Sequence, residues 1–205
     1  MDFSYEQRIR HELGHTVIAG VDEVGRGPLA GPVTAAAFVF LEEVPLGDLK
    51  GIKESKLLSR AKRERFFSYF TAWKEQGLVD FATASVFPNT IDKKDIQEAT
   101  VLAMRRAVQK LSKKPEYAIV DQIAYREPVL PIPHEKFPKA DRDIISVAAA
   151  SIVGKVKRDR TMARYHAQYP QYGFARHMGY GTLAHYDALA KHGPSPVHRR
   201  SFRLA

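Results

Sequence analysis

The stretch T-V-I-A-G-V-D-E-V-G-R-G-P-L-A-G-P, residues 16–32, limits the possible folds more than any other part of the chain. Val17, Ile18, Ala19 and Val21 form a strand-like apolar run that demands burial. The run ends on two adjacent carboxylates, Asp22 and Glu23, and breaks at once into a turn carrying Gly25, Arg26, Gly27 and Pro28. Glycines in such a turn let backbone approach a ligand closely. An acid pair where a buried strand surfaces suits a divalent cation, because hard cations take oxygen ligands. The same pattern arises in exposed turns, where the acids are only solvated and the glycines supply positive φ. The rest of the sequence must decide between the two.

The next run, V-T-A-A-A-F-V-F over 33–40, is too uniformly apolar for a half-exposed strand. Together the two runs read as the buried centre of a sheet. Further strands are expected over 81–86 and 117–121. A helix over 59–76 is capped by Ser59 and stopped at Gly77. Its Phe66, Phe67, Phe70 and Trp73 read as a core stripe with no further role. A crossover helix is expected over 91–111, with Ile96, Ala99, Ala103, Ala107 and Leu111 inside and Lys93, Lys94, Arg105, Arg106 and Lys110 outside. A long helix runs from 144 to about 168, with Ile145, Ala149, Ile152 and Val156 on one face and Lys155 and Arg158 off it. Thr182 caps a final helix to 192. Residues 1–14 read as a short polar helix or arm, and 127–137 as a loop or irregular strand.

Two more acids stand out by position. Asp121 ends the strand Y-A-I-V-D, and ligands of open α/β sheets bind beyond the carboxyl ends of strands. Asp141 precedes the long helix, where capping and the helix dipole favour an acid in any case. Asp143, two residues on, is its rival.

The chain of 205 residues carries a formal net charge of +9. From Arg176 onward, Arg176, Lys191, Arg199, Arg200 and Arg203 face the single acid Asp187. A basic surface of this kind favours polyanions, chiefly nucleic acid. The sequence has no cysteine, which excludes disulfides, thiolate zinc sites and cysteine nucleophiles. It has no apolar run long enough to span a bilayer and no signal peptide, so a soluble cytoplasmic protein without a membrane partner is expected. The segment 169–186 interleaves aromatics, glycines and bases as a surface for sugar or base faces would. Asp22, Glu23, Asp121 and Asp141, drawn from separate elements, can hold two divalent ions about 3.5–4 Å apart. Metal-dependent cleavage of a phosphodiester is the expected chemistry.

These residues resemble the type 2 ribonucleases H, most closely the bacterial ribonuclease HII family. The resemblance lies in G-V-D-E-V-G-R-G-P-L-A-G-P, E-S-K-L-L-S, A-T-V-L-A-M-R-R-A-V, I-V-D, K-A-D, S-V-A-A-A-S-I-V-G-K-V-K-R-D-R, Y-P-Q-Y-G-F and G-P-S-P-V-H-R-R-S-F, in the family's order from Ile18 to Phe202. It implies an α/β ribonuclease H-like fold: a mixed central sheet flanked by helices, with a helical C-terminal region from about 160 to 205 over the substrate groove. The whole of 1–205 would be one catalytic domain, with 1–15 an N-terminal arm. Members cut the RNA strand of RNA–DNA hybrids and incise 5′ of single ribonucleotides in duplex DNA, leaving 3′-hydroxyl and 5′-phosphate ends. The resemblance makes Asp22, Glu23, Asp121 and Asp141 the catalytic acids, holding Mg2+ or Mn2+. It makes Gly25, Arg26 and Gly27 the loop that reads the 2′-hydroxyl. Tyr180 matches the tyrosine that packs on the deoxyribose beyond the junction, and Ser55, Lys56, Ser151 and Lys155 match positions near the phosphate backbone. A monomer is expected.

Three residues depart from the family pattern. Glu54 stands for the usual Asp, Gln122 for Gly and Ala140 for Gly. A side chain at 122 is expected to disturb the turn that follows Asp121. Ribonuclease HIII, the near relative, normally has an extra N-terminal domain and Gly-Thr-Gly at the loop. A non-catalytic binder would have no use for four carboxylates facing phosphates. The eight histidines lack the helical pairing of a zinc hydrolase.

Overall fold

The computed structural model describes residues 2–53, 55–123, 125 and 128–204. Its centre is a mixed five-stranded sheet of β1 (Ile18–Val24), β2 (Val33–Phe40), β3 (Val79–Val86), β4 (Tyr117–Asp121) and β5 (His134–Phe137), in the order β3-β2-β1-β4-β5. β1 and β3 run antiparallel to β2, whereas β4 runs parallel to both β1 and β5. β1 passes to β2 through residues 25–32, and β2 to β3 through residues 41–78, which include a helix. The parallel step from β3 to β4 needs a crossover, supplied by α3 (Pro88–Lys94) and α4 (Ile96–Gln109).

β2 shows why its sequence is apolar at every position but Thr34, whose hydroxyl meets Ser85 Oγ at 2.8 Å. Ala35, Ala37 and Val39 face α4, whereas Ala36, Phe38 and Phe40 face α2 (Arg60–Glu75) and α6 (Ile145–Gln168). Successive side chains alternate between faces, so a strand covered on both sides keeps a polar side chain only where it finds a partner, as Thr34 does. Phe66, Phe67, Phe70 and Trp73 of α2 are core, as their spacing predicts. α6 crosses β1 so closely that a Cβ on Gly20 would stand 2.2 Å from the Ser146 carbonyl carbon. This contact presses the long helix against the acid-bearing strand.

Several boundaries differ from expectation. The crossover is two helices, because Asp95 adopts φ 74° between them and its carboxylate accepts from the Gln97 and Glu98 N–H groups. Pro88 therefore starts α3 instead of only punctuating the loop. Residues 134–137 form the edge strand β5. The N-terminal segment is α1 (Ser4–Leu13), docked through buried Ile9 and buried Glu6, whose carboxylate accepts from the Ser146 N–H at 3.1 Å. An acid at the start of α6 also suits that helix's dipole.

The C-terminal region holds α7 (Phe174–His177) and α8 (Leu183–His192) around a small separate core of Leu29, Ala30, Met162, Tyr172, Phe174 and Val197. No helix among the described residues is long and apolar enough to cross a membrane.

Candidate active site

The parallel register of β1 on β4 runs from Ile18 opposite Tyr117 to Val21 opposite Val120. The next residues are Asp22 and Asp121, so two carboxylates leave the sheet side by side at its carboxyl edge. Asp141 comes from α5 (Ala140–Asp143), a single turn entered through Lys139 in the left-handed region at φ 59°. The Ala140 N–H donates to Asp121 Oδ1 at 2.8 Å and so ties that turn to the end of β4. Asp141 is buried and Asp143 is exposed, which separates the two rivals. Asp141 sits in its own turn and not at the first turn of the long helix, which begins at Ile145.

Electrostatics join the four acids. Burial pushes the Asp22 carboxyl well above its ordinary range, and the charges of Glu23, Asp121 and Asp141 push it further, while a hydrogen bond from Ser151 draws it down. Burial raises Glu23 to about 7, with Arg26 opposing and Asp121 reinforcing the shift. Arg26 Nη1 stands 3.5 Å from Glu23 Oε1, and the other oxygen, Oε2, is buried with no hydrogen-bond partner. Among the described residues no three Asp, Glu or His side chains are drawn together as a ready-made cage for one ion. The donor chemistry nevertheless fits a hard divalent cation: four carboxylates repel one another at Asp22, and one buried carboxylate oxygen has no partner.

The loop after β1 is held from below by two arginines. Arg158 of α6 donates from Nε to the Pro32 carbonyl at 3.0 Å and from Nη1 to the Met178 carbonyl at 3.2 Å. Arg199 donates to the carbonyls of Gly31 at 2.9 Å, Arg26 at 2.6 Å and Gly25. Burial pushes both guanidiniums below their ordinary range. Gly25 has φ +87°, and a Cβ there would stand 1.9 Å from Arg158 Nε, so both backbone and packing require glycine. The carbonyls of Gly25, Arg26, Gly31 and Pro32 are thus consumed on the inside.

The sequence does not reveal these arginines. Helical spacing puts Arg158 off the apolar face, yet it is 1% exposed, and Arg199 is 0% exposed. The one available signal is their place inside R-D-R and H-R-R, charge-rich runs that read as surface.

Tyr180 lies beside the loop, its Cε1 3.9 Å from where a Cβ on Gly27 would stand, and the residue is 44% exposed. The other aromatics of 169–186 divide: Tyr172 and Phe174 are core, so that segment is only partly a surface for bases or sugars. Ser55 and Ser151 are both buried, with their hydroxyl oxygens 2.8 Å apart, and Ser151 faces Asp22. Lys155 is ion-paired with Asp159 at 2.6 Å, and Asp159 also meets Arg63 at 3.5 Å. Lys56 is exposed in a 3-10 turn next to Ser55. Gln122 is exposed, donates its N–H to the Phe137 carbonyl at 3.2 Å, and is not among the described non-glycine residues with positive φ. Its side chain therefore fits the turn, contrary to expectation. Ala140, the other described departure, is buried. Glu54 lies outside the described residues.

A family model described as Ribonuclease HII matches residues 19–205. The ribonuclease HII of Dechloromonas aromatica (strain RCB) is 50% identical over 186 residues, 91% of this chain and 90% of that protein. That of Chloroherpeton thalassium (strain ATCC 35110 / GB-78) is 46% identical over 206 residues, covering 100% of this chain and 98% of the relative. Among solved structures, ribonuclease H2 from Pyrococcus horikoshii OT3 superposes with a TM-score of 0.72 at 27% identity, over 92% of this chain and 95% of that one.

Proposed function

Since the chain belongs to the ribonuclease HII family and is a ribonuclease H-type hydrolase, we propose that it cuts the RNA strand of RNA–DNA hybrids and incises 5′ of single ribonucleotides embedded in duplex DNA. The observation that carries this reading is the convergence of Asp22, Glu23, Asp121 and Asp141 at one sheet edge, beside the loop of Gly25, Arg26 and Gly27. Acids in that position serve phosphoryl chemistry only with cations, and the net charge of +9 favours a nucleic-acid substrate.

The four carboxylates would hold two divalent ions, Mg2+ or Mn2+. Ions bound there supply an activated water on one side of the scissile phosphate and neutralise charge on the leaving oxygen on the other. The bond broken is O3′–P of the nucleotide upstream, so the products are a 3′-hydroxyl and a 5′-phosphate on the ribonucleotide.

The protein's own groups select where this happens. With the carbonyls of Gly25 and Arg26 held by Arg199, the loop of residues 25–27 turns its other face to the substrate and reads the 2′-hydroxyl, which distinguishes RNA from DNA. Tyr180 packs on the deoxyribose beyond the junction and favours a DNA neighbour. Ser151, hydrogen-bonded to Asp22, and its partner Ser55 orient that acid and face the phosphate backbone, with Lys56 exposed beside them. Lys155 serves the backbone as part of its pair with Asp159. In this reading residues 1–205 act as one catalytic domain, a monomer in the cytoplasm, whose reducing conditions suit a chain without cysteine.

The test is gel cleavage of a labelled DNA duplex containing one ribonucleotide, with Mg2+ and then Mn2+, beside a long RNA–DNA hybrid and an all-DNA control. Incision just 5′ of the ribonucleotide supports the reading. Cutting only the long hybrid would remove the roles given to Gly25, Arg26, Gly27 and Tyr180. Tight binding with no cutting would make the chain a binder.

A further inference from the structure

Below the exposed Tyr180 ring lies a cluster of imidazoles that the chemistry above does not use. His177 stacks on His185 with centroids 4.5 Å apart, and the His185 and His198 centroids are 5.2 Å apart. His185 and His198 are 0% and 2% exposed.

Their hydrogen bonds determine where each proton sits. The Ser195 main-chain N–H, which can only donate, meets His198 Nδ1 at 2.9 Å, with Ser195 Oγ 2.8 Å from the same nitrogen. The Tyr180 carbonyl, which can only accept, meets His185 Nδ1 at 2.9 Å. A neutral imidazole carries one proton. His198 therefore carries it on Nε2 and His185 on Nδ1, so the 3.0 Å contact between the two Nε2 atoms is a donation from His198 to His185. The bonds run in one direction, from Ser195 through His198 and His185 to the Tyr180 carbonyl.

The chain around Tyr180 is clamped on every side by comparable bonds. Gly179 N–H donates to His177 Nδ1 at 3.2 Å, and His177 Nε2 in turn donates to the Tyr172 carbonyl at 2.8 Å. The Gly179 carbonyl accepts from Leu29 N–H at 2.8 Å, and the Met178 carbonyl accepts from Arg158. A backbone held this firmly beneath a half-exposed aromatic ring is what a reading residue needs, because a ring that has to find its place loses affinity to ordering entropy.

We propose that His185 and His198 are positioning residues for the substrate-reading surface, ordering their protons so that the Tyr180 main chain is fixed and its ring is held beside Gly27. The inference rests on the reading of Tyr180 given above. It assigns the histidines an action through Tyr180 and no contact with the reacting atoms. The groups packed on the pair are the rings of His177, Tyr172 and Phe174 and the chain at Tyr180 and Ser195. Burial pushes His185 below its ordinary range and His198 down to about 4, so both stay neutral near pH 7. Protonating His185 would set two N–H donors against each other across 3.0 Å, and protonating His198 would set its Nδ1–H against the Ser195 N–H across 2.9 Å.

The test is a double-mutant cycle on the full chain with His185→Phe, Tyr180→Ala and the pair, since His185→Phe keeps the ring volume and removes the relay. The readout is the ratio of kcat/KM on a duplex with one ribonucleotide to that on a long RNA–DNA hybrid. His185→Phe is expected to lower the ratio about tenfold, through KM on the junction duplex, as loss of one ordering hydrogen bond implies. In the Tyr180→Ala background, His185→Phe should lower it no further. Additive losses, or a changed melting temperature with an unchanged ratio, would overturn the inference. A wild-type ratio in Tyr180→Ala alone would instead overturn the reading of Tyr180, and the inference with it.

Imidazole nitrogen NMR on the wild-type chain tests the relay even where a variant does not fold. At pH 8, His198 protonated on Nε2 and His185 on Nδ1 is expected, with His198 keeping its single proton down to about pH 5. The opposite tautomers, or titration of His198 above about pH 6, would overturn it.

Discussion

Arg199 donates from its guanidinium to the carbonyl of Gly25, a residue 174 positions earlier in the chain. The same fork also holds Arg26 and Gly31, so the final segment of the protein sets the shape of the loop beside the acids. Lysine cannot reproduce a planar fork on three carbonyls. Arg199→Lys should fold with a lowered melting temperature and raise KM on a single-ribonucleotide duplex by about 10- to 100-fold, equivalent to about 1.4–2.7 kcal/mol. Steady-state cleavage alongside thermal melting checks this, and an unchanged KM would refute it.

Two glycines of that loop should respond differently to the same change. Gly25→Ala meets positive φ and the Arg158 guanidinium, and it should cost about 2–4 kcal/mol in denaturant unfolding. Gly27 is exposed, and an added Cβ there would be in ordinary contact with Tyr180 at 3.9 Å. Gly27→Ala should stay within about 0.5 kcal/mol of wild type. Equal losses in the two variants would mean that Arg158 does not support the loop.

Asp22→Asn and Asp121→Asn should lower cleavage by at least about 1000-fold, in line with losing a group that supports metal-ion catalysis. Asp22→Asn also removes a buried charge surrounded by like charges, so its melting temperature without divalent ions should equal or exceed that of wild type. Mg2+ or Mn2+ should raise the melting temperature of the wild type and leave that of Asp22→Asn nearly fixed. Equal metal stabilisation in both would rule out Asp22 as a ligand.

The buried imidazoles make stability depend on pH in a known direction. His198 titrates near 4 in the folded chain and near 6.5 when unfolded, so between these values the unfolded state binds more protons. The contribution is complete above about pH 6.5 and is lost as pH falls toward 4, at up to about 1.4 kcal/mol per pH unit. Denaturant unfolding of wild type and His198→Gln across this window should show the wild type losing ground as pH falls. Parallel curves would place the His198 proton elsewhere.

Much of the sheet was legible because burial writes itself into composition. Residues 33–40 are apolar at every position but Thr34 because α4 covers one face of β2 while α2 and α6 cover the other. The long helix and its stripe were legible from spacing alone. The break at Asp95 was not, because nothing in a helical period marks a residue at φ 74° whose carboxylate caps the next helix. The edge strand β5 was also obscured, since three of its four residues H-E-K-F carry polar side chains and three prolines precede it.

In the site, the acids were visible as strand-end and turn residues, whereas their support was not. Tyr172 and Phe174 looked like Tyr180 in sequence and became core, because only packing separates a buried aromatic from an exposed one. Arg158 and Arg199 looked like surface charge, because what allows a guanidinium to be buried is a set of carbonyls contributed by distant segments.

By itself the sequence determined the α/β character, the buried strand that ends on Asp22 and Glu23, the family, and the acids that carry the expected chemistry. These follow from local pattern and residue type, which are properties of adjacent positions. The tertiary structure alone decided that Asp22 and Asp121 emerge side by side, that Asp141 sits in its own turn tied to the end of β4, that Gln122 fits its turn, and that two arginines and two histidines hold the loop and Tyr180 from beneath. Each of these depends on register, burial or hydrogen-bond direction between segments far apart in the chain, and such relations come into being only when the chain has folded.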